Sequence, residues 1–183
     1  MIIFDLETTG LPKAEGSDLD LQPRIIEFGA IKYNDALIGK GEMREDARLE
    51  FFCNPGHLLD PKIIKITGIT DDMLKDEKPF ITKIEELTDF FLGERDIVAH
   101  NLPFDRKVLR FELERLDKVT KFPWPPNHIC TVEIGQKVWG KMRKLGDIYE
   151  ELFDEKIDGA HRSINDVEAT ARIVNWYIDR GEI

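Results

Sequence analysis

The chain has 183 residues, 42% of them hydrophobic and 34% charged, and its 26 basic and 36 acidic residues give a formal net charge of -10 at pH 7. This balance excludes a disordered chain and fits one full-sized hydrophobic core, so we expect a single domain over residues 1–183. The acidity argues against a protein that grips long nucleic acid through many lysine and arginine contacts.

Composition also argues against a membrane protein. No apolar run is long enough to cross a bilayer, and no basic-then-apolar signal peptide follows Met1. We therefore expect a cytoplasmic protein without a membrane partner. Cys53 and Cys130 lack the spacing of a metal site, and in that compartment we expect both thiols to be reduced.

The first predicted element is a buried strand that ends in two carboxylates. Residues 1–4 are apolar and lead directly into Asp5, with Glu7 two positions later, so both carboxylates project from one face. Adjacent anions need a raised pKa, a basic partner or a bound cation, and oxygen ligands favour Mg2+ or Mn2+. A water-exposed polar strand end explains the same pattern equally well.

The following elements, in chain order, predict an α/β layer fold. Loops are expected over residues 12–23 and 121–128, and a loose polar hairpin connection between the second and third strands. Strands are predicted over residues 24–33, 48–53, 96–100 and 129–132. Helices are predicted from residue 61 with a corner at 67–70, then over residues 80–92, from residue 103, and over 133–139, 145–153 and 163–179.

A second acidic junction lies where the strand predicted over residues 96–100 leads through Asn101 to Asp105, and a third lies at the start of the last predicted helix. His161 and Asp166 are five residues apart, about 500° of rotation on an ideal helix, so they do not share a helical face. They converge only if His161 lies in the preceding loop and Asp166 in the first turn, with Ser163 as the N-cap. Ser163 and Asp166 also match a capping box, which would give the carboxylate a purely structural role.

Taken together, these junctions resemble the three motifs of a nuclease family. The motifs are Asp5-x-Glu7-Thr8-x-Gly10, His100-Asn101-x-x-Phe104-Asp105 and His161-x-x-x-x-Asp166. They resemble the DEDDh, or DnaQ-like, 3'-5' exonucleases, a family that includes the proofreading epsilon subunit of bacterial DNA polymerase III, ribonuclease T and the Trex-type exonucleases. The resemblance implies a ribonuclease H-like fold, with a mixed five-stranded sheet whose second strand is antiparallel, flanked by helices.

The resemblance also implies a chemistry for these residues. It implies hydrolysis of phosphodiester bonds from the 3' end of single-stranded or frayed DNA, releasing nucleoside 5'-monophosphates. Two divalent ions, Mg2+ or Mn2+, would neutralise the charge that develops on both sides of the phosphorus. By the same resemblance His161 is the general base, a role that suits imidazole near neutral pH, and the ligands are Asp5, Glu7, Asp105 and Asp166.

Substrate contacts follow from the same motifs. The nucleic acid 3' end is expected to meet Glu7, Thr8, Thr9, Leu11, Asn101 and Phe104. Phe104 fits the core equally well, and the other histidines, at positions 57, 100 and 128, are interpreted as structural or surface residues. Three lysines at helical spacing, Lys137, Lys141 and Lys144, could form a basic face for the strand. A DNA polymerase is a possible partner.

Three other functions stay open at this point. The nuclease could act on RNA or oligonucleotides, or the chain could be a catalytically silent module that binds nucleic acid or a polymerase. The first strand also resembles the nucleophile loop of haloacid dehalogenase-like phosphatases, with Asp5 as nucleophile, Glu7 as general acid and Thr9 as supporting hydroxyl. That last reading leaves residues 100–105 and 161–166 without a role.

Overall fold

A computed structural model describes residues 1–34 and 43–183, and in these residues five strands form one mixed sheet. Its order is β3-β2-β1-β4-β5. Strand β2 is antiparallel to β1 and β3, whereas β1, β4 and β5 are parallel. This confirms the predicted five-stranded sheet with an antiparallel second strand. The strands are β1 (Ile2–Thr8), β2 (Ile25–Tyr33), β3 (Glu45–Phe52), β4 (Asp96–Ala99) and β5 (Asn127–Cys130).

Helices cover both faces of this sheet. They are α1 (Pro61–Thr67), α2 (Asp71–Leu74), α3 (Ile84–Phe91), α4 (Leu102–Arg115), α5 (Thr131–Trp139), α6 (Leu145–Phe153) and α7 (Ser163–Asp179), with short 3-10 turns at Leu19–Leu21 and Phe80–Lys83. The last helix has the bounds expected from the sequence. The helix predicted over residues 80–92 begins instead as the second 3-10 turn.

The fifth strand corrects a predicted boundary. Residues 129–132 were expected to form it, but β5 starts at Asn127 and Thr131 already belongs to α5. Asn127 pairs in register with Asp96 of β4, and its side-chain amide donates to the Asp96 carboxylate at 2.8 Å. Pairing with a neighbouring strand therefore overrides the local pattern of a proline-rich segment.

Alternation along β1 divides the core between the two faces of the sheet. Ile2 and Phe4 belong to the cluster that includes α3 and α4, whereas Ile3 packs in the cluster that includes α7. Period two therefore places Asp5 and Glu7 on the α7 face. The two carboxylates project toward the helix whose first turn carries the third motif.

Two other expectations concern the periphery. The hairpin connection expected between β2 and β3 falls largely on residues 35–42, which lie outside the described residues. Strand β3 begins at Glu45 rather than at the predicted residue 48. Both cysteines are free and buried. In the part of the chain that the structure describes, no helix is long and apolar enough to cross a membrane.

Candidate active site

The carboxyl end of β1 carries two half-buried acids. Asp5 and Glu7 lie opposite Gly29 and Glu27 of β2. Burial raises the pKa of Asp5 well above its ordinary value, and the charges of Asp166 and Glu27 raise it further. Burial also raises the pKa of Glu7 to about 9, with the charge of Asp5 adding to the effect. Such crowding of acids contradicts the interpretation of a water-exposed strand end.

Asp105 lies in the first turn of α4, the helix that follows the parallel strand next to β1. Strand β4 leads into α4, and the carboxyl ends of β1 and β4 meet at one edge of the sheet. Asp105 is only 2% exposed. Burial raises the pKa of this carboxyl, the charge of Asp5 raises it further, and hydrogen bonds from the backbone of Asp105 and Leu6 act against the rise.

The third acid is Asp166 in the first turn of α7. One carboxylate oxygen, Oδ2, accepts a hydrogen bond from the His161 backbone N–H at 3.3 Å. The other, Oδ1, is buried and has no hydrogen-bond partner among the described residues. Burial raises the pKa of Asp166 to about 6, although the charge of His161 and the hydrogen bond from its backbone both lower it. A buried carboxylate oxygen without a hydrogen-bond partner is unusual, and at this position a bound cation would account for it.

The start of α7 contradicts the capping-box interpretation. Arg162, not Ser163, occupies the N-cap, and it makes no side-chain capping hydrogen bond. The Ser163 hydroxyl is buried and lacks a partner within the described ranges. The Asp166 carboxylate instead turns back to the loop that carries His161, whose backbone is left-handed with φ of 65°. His161 thus lies before the helix, and Asp166 lies in its first turn.

These residues converge on a site that fits a divalent cation. Glu7, His161 and Asp166 each offer one ligand atom, and these atoms all lie within 4.8 Å of one another. Carboxylate oxygens are the ligands that Mg2+ and Mn2+ prefer. Oδ1 of Asp166, which lacks a hydrogen-bond partner among the described residues, is available as a ligand oxygen. A bound cation would offset the repulsion among the acids.

Residues that the sequence analysis did not single out hold α7 against the sheet. Glu27 is 3% exposed, and its carboxylate accepts from the Ser163 backbone N–H at 3.0 Å and from the Arg162 Nε at 2.9 Å. A side chain at Gly29 would meet the backbone N of Ile164 at 2.8 Å. An acidic residue inside an apolar strand, followed two positions later by glycine, was the available signal.

The loop after β1 is anchored by a second buried acid that sequence reasoning missed. Glu112 of α4 is 3% exposed and accepts from the Ile25 backbone N–H at 3.1 Å. Its neighbour Arg115 donates to the carbonyls of Leu19 at 2.8 Å and Gln22 at 2.9 Å. Helix α4 therefore fixes the far side of the loop whose near end forms the first motif.

The expected substrate contacts are not equivalent in the structure. Thr8 is buried and donates its hydroxyl to the Gly10 carbonyl at 2.8 Å, and the Thr9 hydroxyl accepts from the Arg24 N–H at 2.9 Å. Both hydroxyl groups therefore shape the loop. Leu11 is 76% exposed beside them.

The second motif forms one side of a cleft. Asn101 is exposed, and its backbone is left-handed with φ of 74°. It lines a cleft of about 560 Å³ together with His161 and Asp166. Phe104 instead packs half-buried against the α4 side of the core. Of these two residues, only Asn101 borders the cleft beside the acids.

The fold and the site together define a class of protein. A mixed sheet in this order, with acids gathered at the carboxyl end of its central strand, is the arrangement expected of a ribonuclease H-like nuclease. A family model described as exonuclease matches residues 2–174. The chain belongs to this exonuclease family, which confirms the predicted family and the predicted enzyme class.

Two curated relatives are large polymerases. The chain is 33% identical over 175 residues to the DNA polymerase III PolC-type of Bacillus subtilis, covering 94% of this chain and 11% of the relative. It is 34% identical over 177 residues to the corresponding protein of Staphylococcus epidermidis, with 94% and 11% covered. The chain thus spans about a tenth of the length of these relatives.

Solved structures share the fold. The nuclease domain of 3'hExo, described as a DEDDh family member and bound to rAMP, has a TM-score of 0.73 at 20% identity, covering 98% of this chain and 92% of that one. Exonuclease X in complex with 5' overhanging duplex DNA has a TM-score of 0.68 at 21% identity, with 100% and 93% covered. The E. coli ExoI–ssDNA complex has a TM-score of 0.79 at 18% identity, with 98% and 40% covered.

Proposed function

We propose that this protein is a metal-dependent 3'-5' exonuclease that releases nucleoside 5'-monophosphates from single-stranded or frayed DNA. The observation that carries the proposal is that acids from β1, α4 and α7 lie close enough together to raise one another's pKa, with Glu7 and Asp166 grouped beside His161. Among these acids, Asp166 has a buried oxygen that finds no hydrogen-bond partner in residues 1–34 and 43–183. Acids from three separate elements crowd together at a cost in free energy, and binding of divalent cations offsets that cost.

The proposed cofactors are two Mg2+ or Mn2+ ions. Their ligands are Asp5, Glu7, Asp105 and Asp166, all of which have a raised pKa in the metal-free protein. When bound, such ions stabilise the negative charge that builds up on the attacking and leaving oxygens during hydrolysis of a phosphodiester. The chain contributes the fixed oxygen donors and the sheet edge that holds them in place.

His161 is the proposed general base. Its side chain is exposed and lies beside Glu7 and Asp166, with its ring nitrogen within 4.8 Å of their oxygens. From there it accepts a proton from the attacking water as the water oxygen bonds to phosphorus. The bond between phosphorus and the leaving 3' oxygen breaks, and that oxygen takes a proton from solvent. The hydrogen bond from the His161 backbone N–H to the Asp166 carboxylate holds the loop so that the imidazole lies beside the acids.

DNA is the proposed substrate. The named relatives are DNA polymerases, and two of the structural neighbours were solved with DNA. An enzyme with a net charge of -10 is suited to holding a few terminal nucleotides rather than a long strand. Leu11 and Asn101, both exposed near the acids, are the proposed contacts to the terminal nucleotide, and a DNA polymerase is the proposed partner.

A time course on 5'-labelled single-stranded DNA and RNA of one sequence tests this function. Reactions contain Mg2+, Mn2+ or EDTA, and the Asp5→Ala variant serves as the control for contaminating nucleases. We expect a ladder that shortens from the 3' end with either metal, faster on DNA, and none in EDTA. Cleavage by the Asp5→Ala variant at the wild-type rate, or no ladder on either substrate, contradicts the proposal. A faster RNA ladder would replace DNA by RNA as the substrate.

A further inference from the structure

The segment between α5 and α6 differs from what the lysine spacing suggested. Helix α5 ends at Trp139, and Gly140 follows with a left-handed φ of 72°. Lys141 and Lys144 therefore do not continue a helical face begun by Lys137, and the predicted basic face is wrong. Residues 140–144 instead form a short strap that runs along the cleft to the start of α6.

His100 fixes this strap from the inside of the fold. Its Nε2 lies 3.1 Å from the Arg143 carbonyl, which can only accept, so Nε2 carries the proton. Its Nδ1 lies 2.8 Å from the hydroxyl of Thr131, a fully buried residue that then donates to it. Burial lowers the pKa of His100 to about 4, which keeps the ring neutral in this arrangement. One histidine thus ties the second motif to the strap.

Arg143 fixes the strap from the other side. Its guanidinium lies 5.3 Å from the centre of the Trp139 ring, pairs with the Glu151 carboxylate and donates to the Asp147 carbonyl at 3.1 Å. The side chain is only 14% exposed. Because the Arg143 guanidinium is fully engaged by these contacts within the protein, Arg143 anchors the strap. Its neighbours Met142 and Lys144 face outward.

Those neighbours, Met142 and Lys144, line the same cleft as His161 and Asp166. Met142 is 65% exposed, and the exposed Lys144 makes no ion pair within the described residues. A cation held beside an acidic cluster without pairing to it remains available to an incoming anion. An exposed thioether chain next to it offers an apolar surface for a flat ring.

We propose that the strap is a second wall of the substrate site, where Lys144 binds a backbone phosphate of the strand and Met142 packs against a base. The proposal rests on the proposed function, because it assigns the strand to this cleft. The scissile phosphate belongs to the acidic cluster, so the phosphate at Lys144 is a different one of the same strand. The strap therefore contributes to binding of the strand and not to the chemical step.

Equilibrium binding tests the strap apart from the chemistry. A 5'-fluorescein-labelled single-stranded DNA 20-mer is titrated with the Asp5→Ala protein, alone or with Lys144→Gln, Met142→Ala or Lys141→Gln added, over a series of salt concentrations. Lys141→Gln is the matched control, since Lys141 is exposed in the strap but does not line the cleft. In the active protein, the same three substitutions are compared by kcat and KM, and thermal melting verifies that each variant is folded.

Loss of one phosphate contact should reduce the slope of log binding constant against log salt by about 0.7 for a single strand. We expect that reduction for Lys144→Gln, with roughly fivefold weaker binding at low salt and an unchanged kcat. Met142→Ala should weaken binding without changing the slope. Equal effects of Lys144→Gln and Lys141→Gln, or a fall in kcat without a change in binding, would overturn the strap assignment. If the wild-type protein still cleaves DNA, the proposed function is unaffected by that result. Absence of cleavage by the wild-type protein removes the proposed function, and the binding series then still reports on the strap.

Discussion

Each acidic residue of the site lowers the stability of the fold when no cation is bound, but serves the proposed reaction as a metal ligand. The pKa of Asp5 and of Asp105 is raised by burial and by the charge of a neighbouring acid. Such groups do not stabilise a folded chain on their own, because burial disfavours their charged form. The proposed cations would account for the crowding of these acids.

Replacement of one ligand should separate activity from stability. Asp5→Ala relieves repulsion in the cluster, so we expect an intact fold with kcat lowered by at least about 10³, the equivalent of several kcal/mol of lost charge stabilisation. Asp166→Ala should act in the same way. The exposed Asp76 provides a control, and Asp76→Ala should retain full activity. Near-wild-type kcat in either ligand variant contradicts the site assignment.

His161 should behave differently from the acids. His161→Ala removes the proposed base, so we expect kcat to fall by about 10² to 10⁴ while the affinity for Mn2+ changes little. Calorimetric titration of Mn2+ into the variant and the wild-type protein provides the measurement. A large loss of Mn2+ affinity in the variant would instead identify His161 as a metal ligand.

At the scale of elements, the contact between β2 and α7 sets the geometry of the third motif. Gly29 is a point of close approach, because a side chain there would lie 2.8 Å from the Ile164 N and 2.9 Å from the Ser163 carbonyl carbon. Both are backbone atoms, which cannot rotate away. The start of α7 must therefore move if Gly29 gains a methyl group.

We expect Gly29→Ala to lower the free energy of unfolding by about 1–3 kcal/mol, the usual cost of overpacking, and to lower kcat as well. The reason for the second effect is that His161 and Asp166 flank the displaced backbone. Gly146→Ala is the matched stability control, since that glycine lies in α6 and an added Cβ would meet no described atom within 4 Å apart from the helix's own nearby backbone. It should raise stability by up to about 1 kcal/mol. Equal denaturation midpoints for the two variants would exclude the close contact.

The sequence predicted most elements because their apolar periodicity is local information. It did not predict where α7 is capped, since the contact of Glu27 with Arg162 and the Ser163 N–H joins residues 135 and 136 positions apart. The end of α5 was predicted correctly, since the helix expected over residues 133–139 stops at Trp139, directly before Gly140. Only the helical face of lysines, which would have had to continue past that glycine, was wrong. The position of β5 depends on pairing with β4, which a proline-rich segment does not reveal.

At the scale of the whole molecule, the raised pKa values of the acids make the free energy of unfolding depend on pH and on bound metal. The pKa of Glu7 is raised to about 9 and that of Asp166 to about 6, against about 4 for such groups in an unfolded chain. Between about pH 4 and pH 9 the folded chain therefore holds more protons than the unfolded one. The free energy of unfolding accordingly falls as the pH rises through this window.

Melting temperatures in EDTA should therefore decrease from pH 5 to pH 9, and Mg2+ should raise them most at the alkaline end. At a concentration 100 times its dissociation constant, a ligand of the folded state adds about 2.7 kcal/mol. Differential scanning calorimetry at several pH values, with and without Mg2+, measures both effects. Melting temperatures that do not depend on pH in EDTA, or on Mg2+ at pH 8, contradict the proposed cation site.

The site as a whole was predictable from the sequence only as a set of motifs. Asp5, Asp105 and Asp166 are far apart in the chain, and a family pattern relates them where composition and periodicity do not. Lys144 was expected to face the strand, but as part of a helical row of lysines. Its place on the strap depends on His100 and Arg143 holding this loop, which the spacing of lysines does not reveal. The organisation of residues 1–183 as one domain stays a prediction.

Two tryptophans beside the strap, one at the end of α5 and one in α7, give the protein an optical property. Trp139 and Trp176 stack with ring centroids 5.8 Å apart and planes inclined by 12°, and Arg143 of the strap rests on Trp139. Stacked indoles share their electronic excitations, so the pair should produce its own near-ultraviolet circular dichroism band. A strand that presses on the strap alters the surroundings of one indole of that pair. If the strand binds as proposed, we expect this band to change when single-stranded DNA is added, without any added label.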